Sequence, residues 1–153
     1  MSQPALSAMG TEELTLEIAR VLPAERTAVF RTITDPQLLG EWWGPHGFRC
    51  PSAQFEPREG ARYRIAMQPP EGELFHLEGE FVEVDPPRRL AFSFRWDPPD
   101  PDDQETVAAL TLVERGGETE LTLLQRPFAT EARRELHAEG WSESFEKLRQ
   151  LLG

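Results

Sequence analysis

With 153 residues, 39% of them apolar, the chain lies within the size range of one domain built on one core. Its net charge of -11 repels phosphate backbones and anionic lipid surfaces, which removes the electrostatic drive behind nucleic-acid and membrane-surface binding. Cys50 is the only cysteine, so no internal disulfide forms, and a reducing compartment fits.

Residues 1–11 are small and polar, with Pro4 and Gly10, and are expected to form a flexible tail ahead of one domain over residues 12–153. Met1 to Glu13 lacks the basic start and apolar run of a signal peptide, and no run reaches the roughly 20 apolar residues of a membrane span. A cytoplasmic location without membrane insertion is the expectation. From Glu13 the period becomes two, with Leu14, Leu16 and Ile18 alternating against polar neighbours, which predicts a half-buried strand. Pro23 suits a first helical turn, and Val29, Phe30 and Ile33 form one apolar stripe, so a short helix is predicted over 23–33. Asp35 and Pro36 open a second short helix through Leu38 and Leu39, weakened by Gly40. A loop rich in aromatic residues and glycine, Trp42 to Phe48, comes next.

Six strands then follow, near residues 50–55, 61–67, 74–84, 89–95, 105–114 and 118–126. Turn chemistry at Glu59-Gly60, Pro69 to Gly72, Asp85-Pro86-Pro87 and Gly116-Gly117 separates them and makes consecutive strands antiparallel. The acidic, proline-stiffened stretch Asp97 to Asp103 reads as a solvated connection without chemistry. The last segment, 130–152, is predicted as a helix about 33 Å long. His137, Trp141, Phe145, Leu148 and Leu152 share one of its faces, which needs an apolar partner. The inward side of the strands supplies it, through Tyr63, Ile65 and Met67, then Phe75, Leu77 and Phe81, then Leu90, Phe92, Phe94 and Trp96. The class is α+β.

The order of one strand, two short helices, six strands and a long helix resembles the helix-grip fold of the START-like (SRPBCC, birch-pollen-allergen type) superfamily. Trp42-Trp43-Gly44-Pro45, Glu83 to Leu90 with Asp85-Pro86-Pro87 at its centre, and Gly140-Trp141 resemble the branch named after the activator of the heat-shock-protein-90 ATPase. The resemblance covers residues 13–152. It implies a curved antiparallel sheet of about seven strands wrapped around the C-terminal helix, with a cavity between them that members use for lipids, sterols, plant hormones or polyketides. Some members cyclise or hydrolyse what they bind. In the eukaryotic co-chaperone behind the name, a separate N-terminal domain binds the chaperone, and the expectation here is one domain without that partner module. The fold alone does not choose among these activities.

A curved sheet cannot meet a straight helix along its whole length without leaving space, and bulky aromatics then line that space. The candidate ligand-binding residues are Trp43, Phe48, Tyr63, Met67, Phe75, Phe81, Phe92, Phe94, Trp96, His137, Trp141 and Phe145; filling of the core is the competing explanation for each of them. His137 shares the stripe with Trp141 and would give a ligand oxygen a polar handle. Gly44, Pro45 and Gly47 would form an entrance lid, although ordinary loop geometry explains them equally. His46 and Cys50 stand four apart, yet no CxxC, HxH or HExxH spacing accompanies them, so neither a metal nor another cofactor is expected.

Glu83 would act as a general acid or base if it pointed into the cavity; pairing with Arg62, Arg64, Arg89 or Arg95 is the reading adopted for Glu78, Glu80 and Glu83. No assembled catalytic constellation is visible, and no catalytic residue is assigned. The expected function is binding of a small hydrophobic molecule. The alternatives are a cyclase or hydrolase, and an interaction module that partners a chaperone or a second copy of itself.

Overall fold

Alternating apolar side chains need a second surface to bury against, and in the computed structural model, which describes residues 13–153, that surface is a single long helix. The strands are β1 (Leu14–Leu22), β2 (Ala53–Gln54), β3 (Arg62–Met67), β4 (Phe75–Asp85), β5 (Arg89–Asp97), β6 (Thr106–Arg115) and β7 (Glu118–Phe128). The helices are α1 (Arg26–Ile33), α2 (Leu39–Trp42) and α3 (Glu131–Leu152). The strands form one antiparallel sheet in the order β1-β7-β6-β5-β4-β3-β2, so the first strand closes onto the last. The tail expected over residues 1–11 lies outside the described residues. Among the described residues no helix is long and apolar enough to cross a membrane.

The inward register matches the period-two pattern. Ile65 stands opposite Leu77, Met67 opposite Phe75, Phe81 opposite Phe92, and Leu90 opposite Leu110. Curvature comes from β4. A Cβ on Gly79 would overlap the Ser93 carbonyl oxygen and crowd the Tyr63 ring, so only glycine lets the two strands approach this closely. The Tyr63 ring covers that glycine, and its hydroxyl donates to the Ser93 carbonyl at 2.6 Å. A register shift between Phe81 and Glu83 bends the same strand again.

Three local expectations change. The first helix starts at Arg26 rather than Pro23, because Ala24 is held to the sheet by the Thr119 hydroxyl, which donates to its carbonyl at 2.7 Å. The second does not begin at Asp35, whose carboxylate instead accepts from the Gln37 N–H at 2.9 Å; the helical turn starts at Leu39, where Leu39 and Trp42 become buried. The strand expected over 50–55 shrinks to Ala53–Gln54, since Pro51 has no N–H to give to a ladder.

α3 is capped by Thr130, whose hydroxyl oxygen accepts from the Arg133 N–H at 3.1 Å. Its Trp141, Phe145 and Leu148 are buried against the sheet. Beneath that half, Phe55, Tyr63, Phe81 and Phe92 pack edge to face at 5.2–6.4 Å between ring centroids, and Trp43 from the loop after α2 joins Phe92 to Trp141.

Candidate functional site

Along its N-terminal half α3 turns a different set of residues toward the sheet. Arg133, His137, Gly140 and Ser144 recur at spacings of three and four, and of these only His137 meets a strand residue, Trp96 of β5, which leaves space in front of the sheet unfilled. Gly140 has no side chain, Ser144 is bonded back to the Gly44 carbonyl at 3.1 Å, and Leu136 lies outward with 54% of its surface exposed. The result is a cavity of about 550 Å³, walled by Trp43, Phe48, Met67, Phe75, Phe94, Trp96 and Trp141, with Pro45 and Pro98 at its edges. Its mouth carries Glu73, Asp100, Glu139 and Glu143.

Two hydrogen-bonded chains fix the walls. The Trp96 indole N–H donates to His137 Nε2 at 3.2 Å, and His137 Nδ1 lies 2.9 Å from the Arg133 carbonyl. Since Nε2 accepts, the proton sits on Nδ1 and is donated to that carbonyl, so the ring is neutral. Burial pushes the His137 pKa down, and its bond to the Arg133 carbonyl opposes this only in part. On the deeper side the Trp141 indole N–H donates to Gln125 Oε1 at 2.8 Å, and Gln125 Nε2 donates to the Thr106 hydroxyl at 2.8 Å. Gln125 is fully buried, and this chain satisfies it.

Two loops frame the mouth. The stretch Asp97 to Asp103, expected to be a solvated connection, instead closes onto α3: Arg133 reaches Asp103 at 2.6 Å and Asp100 at 3.1 Å, and its Nε lies 3.9 Å from Asp102. Arg133 is 11% exposed and Asp103 8%, which places this pair out of bulk water, where ionic bonds are shorter and stronger. The loop Trp43 to Phe48, expected as a lid, is tied down by the Ser144 bond, by Lys147 Nζ donating to the Pro45 carbonyl at 3.3 Å, and by the His46 N–H donating to Glu143 at 2.9 Å. Pro45 also leans on Gly140, where an added Cβ would lie 3.7 Å from its ring.

Of the candidate ligand-binding residues, Trp43, Phe48, Met67, Phe75, Phe94, Trp96, His137 and Trp141 come together around the cavity. Tyr63, Phe81, Phe92 and Phe145 do not; they are packed into the closed half of the core by the aromatic contacts that the Gly79 bend brings within reach. The space between the aromatic face of α3 and the sheet therefore opens at Trp141 and Trp96 and not at Phe145 and Phe92, and it extends toward the start of α3. His137 lines it, yet both its nitrogens are engaged within the protein.

The polar groups that catalysis would draw on are likewise committed. Glu83 pairs with Arg89 at 2.7 Å, and Glu78 with Arg64 and with Arg95, the Arg95 hydrogen bond holding its carboxyl below the usual range. The Tyr63 phenol is pushed well above its ordinary value by burial. Cys50 is pushed up to about 11, also by burial, and stays a thiol. Residues not anticipated as part of the site are Arg133, Leu136, Gly140 and Ser144 on α3, and Gln125 behind it. The inward alternation Thr119, Leu121, Leu123, Gln125 carried the signal for the last of these.

Comparison with solved structures gives the same architecture. A protein from Chromobacterium violaceum superposes with a TM-score of 0.81 at 26% identity, over 90% of this chain and 96% of the other. A protein of the same branch from Silicibacter pomeroyi gives 0.79 at 26% identity, with the same two shares. One from Nitrosomonas europaea gives 0.75 at 29% identity, over 91% of this chain and 94% of its own. No curated protein matches the sequence. The family described as "Activator of Hsp90 ATPase homolog 1-like protein" matches over residues 23–153, and the chain belongs to that family.

Proposed function

We propose that this protein binds a small, largely apolar molecule in the cavity between the sheet and the N-terminal half of α3. The observation that carries the reading is a space of about 550 Å³ with aromatic walls whose polar ends are already hydrogen-bonded inside the protein. That volume lies in the usual range for small-molecule sites. Walls held this way lose little side-chain freedom when a ligand arrives, which lowers the cost of association. Burying roughly 200 Å² of apolar ligand surface at about 25 cal/mol per Å² would contribute on the order of 5 kcal/mol before that cost.

Two measurements test this. Native mass spectrometry of the protein purified from cells, with thermal-shift screening against lipids and polycyclic aromatics, should reveal bound or stabilising apolar molecules. Gly140→Met should then abolish their binding without lowering the melting temperature, because the added side chain enters the cavity while a better helix former replaces glycine. A protein that no apolar compound stabilises, or a Gly140→Met variant that binds undiminished, would overturn the reading.

The family description supports a second reading, stimulation of an Hsp90 ATPase. Hydrophobic docking to a chaperone would call for a continuous exposed apolar face. On the outer side of the sheet Val107 stands opposite Arg126 and Val113 opposite Glu120, so charge interrupts the apolar positions there. An ATPase assay in which this protein leaves the chaperone's rate unchanged removes that reading.

A further inference from the structure

We infer that the molecule this cavity takes is an amphiphilic cation: an aromatic or alicyclic body bearing a protonated amine or quaternary ammonium at the mouth. The inference rests on the ligand-binding reading above and goes beyond it by fixing the sign of the ligand's charge.

The lining contains five carboxylates, those of Glu73, Asp100, Asp103, Glu139 and Glu143, against one guanidinium, that of Arg133. That guanidinium is consumed, with one terminal nitrogen on Asp100 and the other on Asp103. The remaining cations of α3 are turned to other partners: Arg134 to Glu135, Lys147 to the Pro45 carbonyl, and Arg149 to Glu146. Glu73 and Glu139 form no ion pair among the described residues, and Glu143 uses one oxygen on the His46 N–H. An arriving carboxylate or phosphate finds, among the described residues, no free cation in the lining and meets net negative charge. A cation finds carboxylates.

The walls give the same sign. The Trp96 and Trp141 indoles have their N–H groups bonded inward, to His137 and Gln125, and Ser144 donates to a backbone carbonyl, so these donors are withdrawn from any ligand oxygen. What the aromatic walls still offer is their rings, and a desolvated cation is attracted to the face of a tryptophan while an anion is not. With a chain charge of -11, long-range steering favours the same class of ligand.

The test uses three probes of one shape on the whole protein: 1-naphthylmethylammonium, 1-naphthylmethanol and 1-naphthoate, each titrated calorimetrically at low and at high salt. The ammonium should bind about tenfold more tightly than the carboxylate, with the alcohol between, and the spread should narrow at high salt. The double substitution Glu73→Gln with Glu139→Gln should lower the ammonium-to-alcohol affinity ratio. Gly140→Met should remove ammonium binding; persistence there would mean adhesion of a cation to an acidic surface and would overturn the inference. If the alcohol and the carboxylate bind as tightly as the ammonium, the charge preference is wrong while the ligand-binding reading stands. If no probe binds, neutral alcohol included, the cavity is no site for this class of molecule and both readings fall.

Discussion

Beneath the C-terminal half of α3, helix and sheet meet ring against ring. Beneath its first turns they stand apart over about 550 Å³. Both halves draw on large aromatic side chains of β4 and β5, Phe81 and Phe92 in one and Phe75, Phe94 and Trp96 in the other, so the sheet does not decide which half fills. The helix does. Trp141, Phe145 and Leu148 reach the strands, whereas Leu136 points outward, Gly140 has nothing to reach with and Ser144 is bonded to the Gly44 carbonyl. A cavity in this fold is thus a property of one helix face, read at spacings of three and four.

The comparison breaks most visibly under paired truncations. Phe92→Ala, in the closed half, should cost about 3–5 kcal/mol, the range for removing a fully buried phenylalanine. Phe75→Ala, on the cavity wall and only half-buried, should cost about 1–2 kcal/mol, because its ring already borders empty space. Urea unfolding of both variants measures the difference. Equal losses would mean that the wall is as tightly supported as the core.

A second cut separates the halves through their polar anchors. Gln125→Met keeps the volume of the side chain but leaves the Trp141 indole N–H without an acceptor in a buried site. The expected loss is about 1–3 kcal/mol. Tryptophan fluorescence should also shift as the ring loses its fixed orientation. An unchanged urea midpoint would show that the Trp141 ring finds another acceptor.

How much of this was legible beforehand follows from the range of each interaction. Period-two alternation placed Leu16, Ile18, Tyr63, Ile65 and Phe92 on the inward side, because side-chain direction in a strand is a local matter. The Gly116-Gly117 hairpin was equally local; both glycines have positive φ, at 59° and 88°. The closing of Asp100 and Asp103 onto Arg133 was not legible, since it joins groups some thirty residues apart that read locally as a solvated loop and an exposed helix start. The cavity was half legible. Its wall residues lay in the pattern, but Phe145 shares a stripe with Trp141 and still falls in the core, because where a helix leaves the sheet depends on the small residues beside the stripe rather than on the large ones within it.

Gly140 tests that last point with a stabilising change. An added Cβ would meet only the Pro45 ring, at 3.7 Å, an ordinary contact, and the backbone is helical. Gly140→Ala should therefore raise stability by about 0.5–1 kcal/mol through helix propensity alone. A loss in thermal unfolding would mean that the loop Trp43 to Phe48 cannot accommodate even a methyl group, and that this glycine is needed for docking the loop as well as for the cavity.

The smallest expected effect concerns pH and touches only the open half. His137 has its pKa lowered from the ordinary 6.5, chiefly by burial, so the folded protein takes up that proton less readily than the unfolded chain does. The sign follows: the contribution is present in full above the unfolded value and is lost as pH falls through it toward the lower folded value. The structural event is specific. Protonation at Nε2 turns an acceptor into a donor facing the Trp96 indole N–H, so that bond must break and the Trp96 wall is released. His137→Gln retains an acceptor without titrating, so subtracting its unfolding midpoints from those of the native protein across this window isolates the histidine. The native protein should lose stability relative to the variant as the solution is acidified below 6.5, with a change in tryptophan emission over the same range. Parallel curves would show that the Trp96–His137 bond does not hold the wall, and the account of a cavity braced from both sides would lose its outer support.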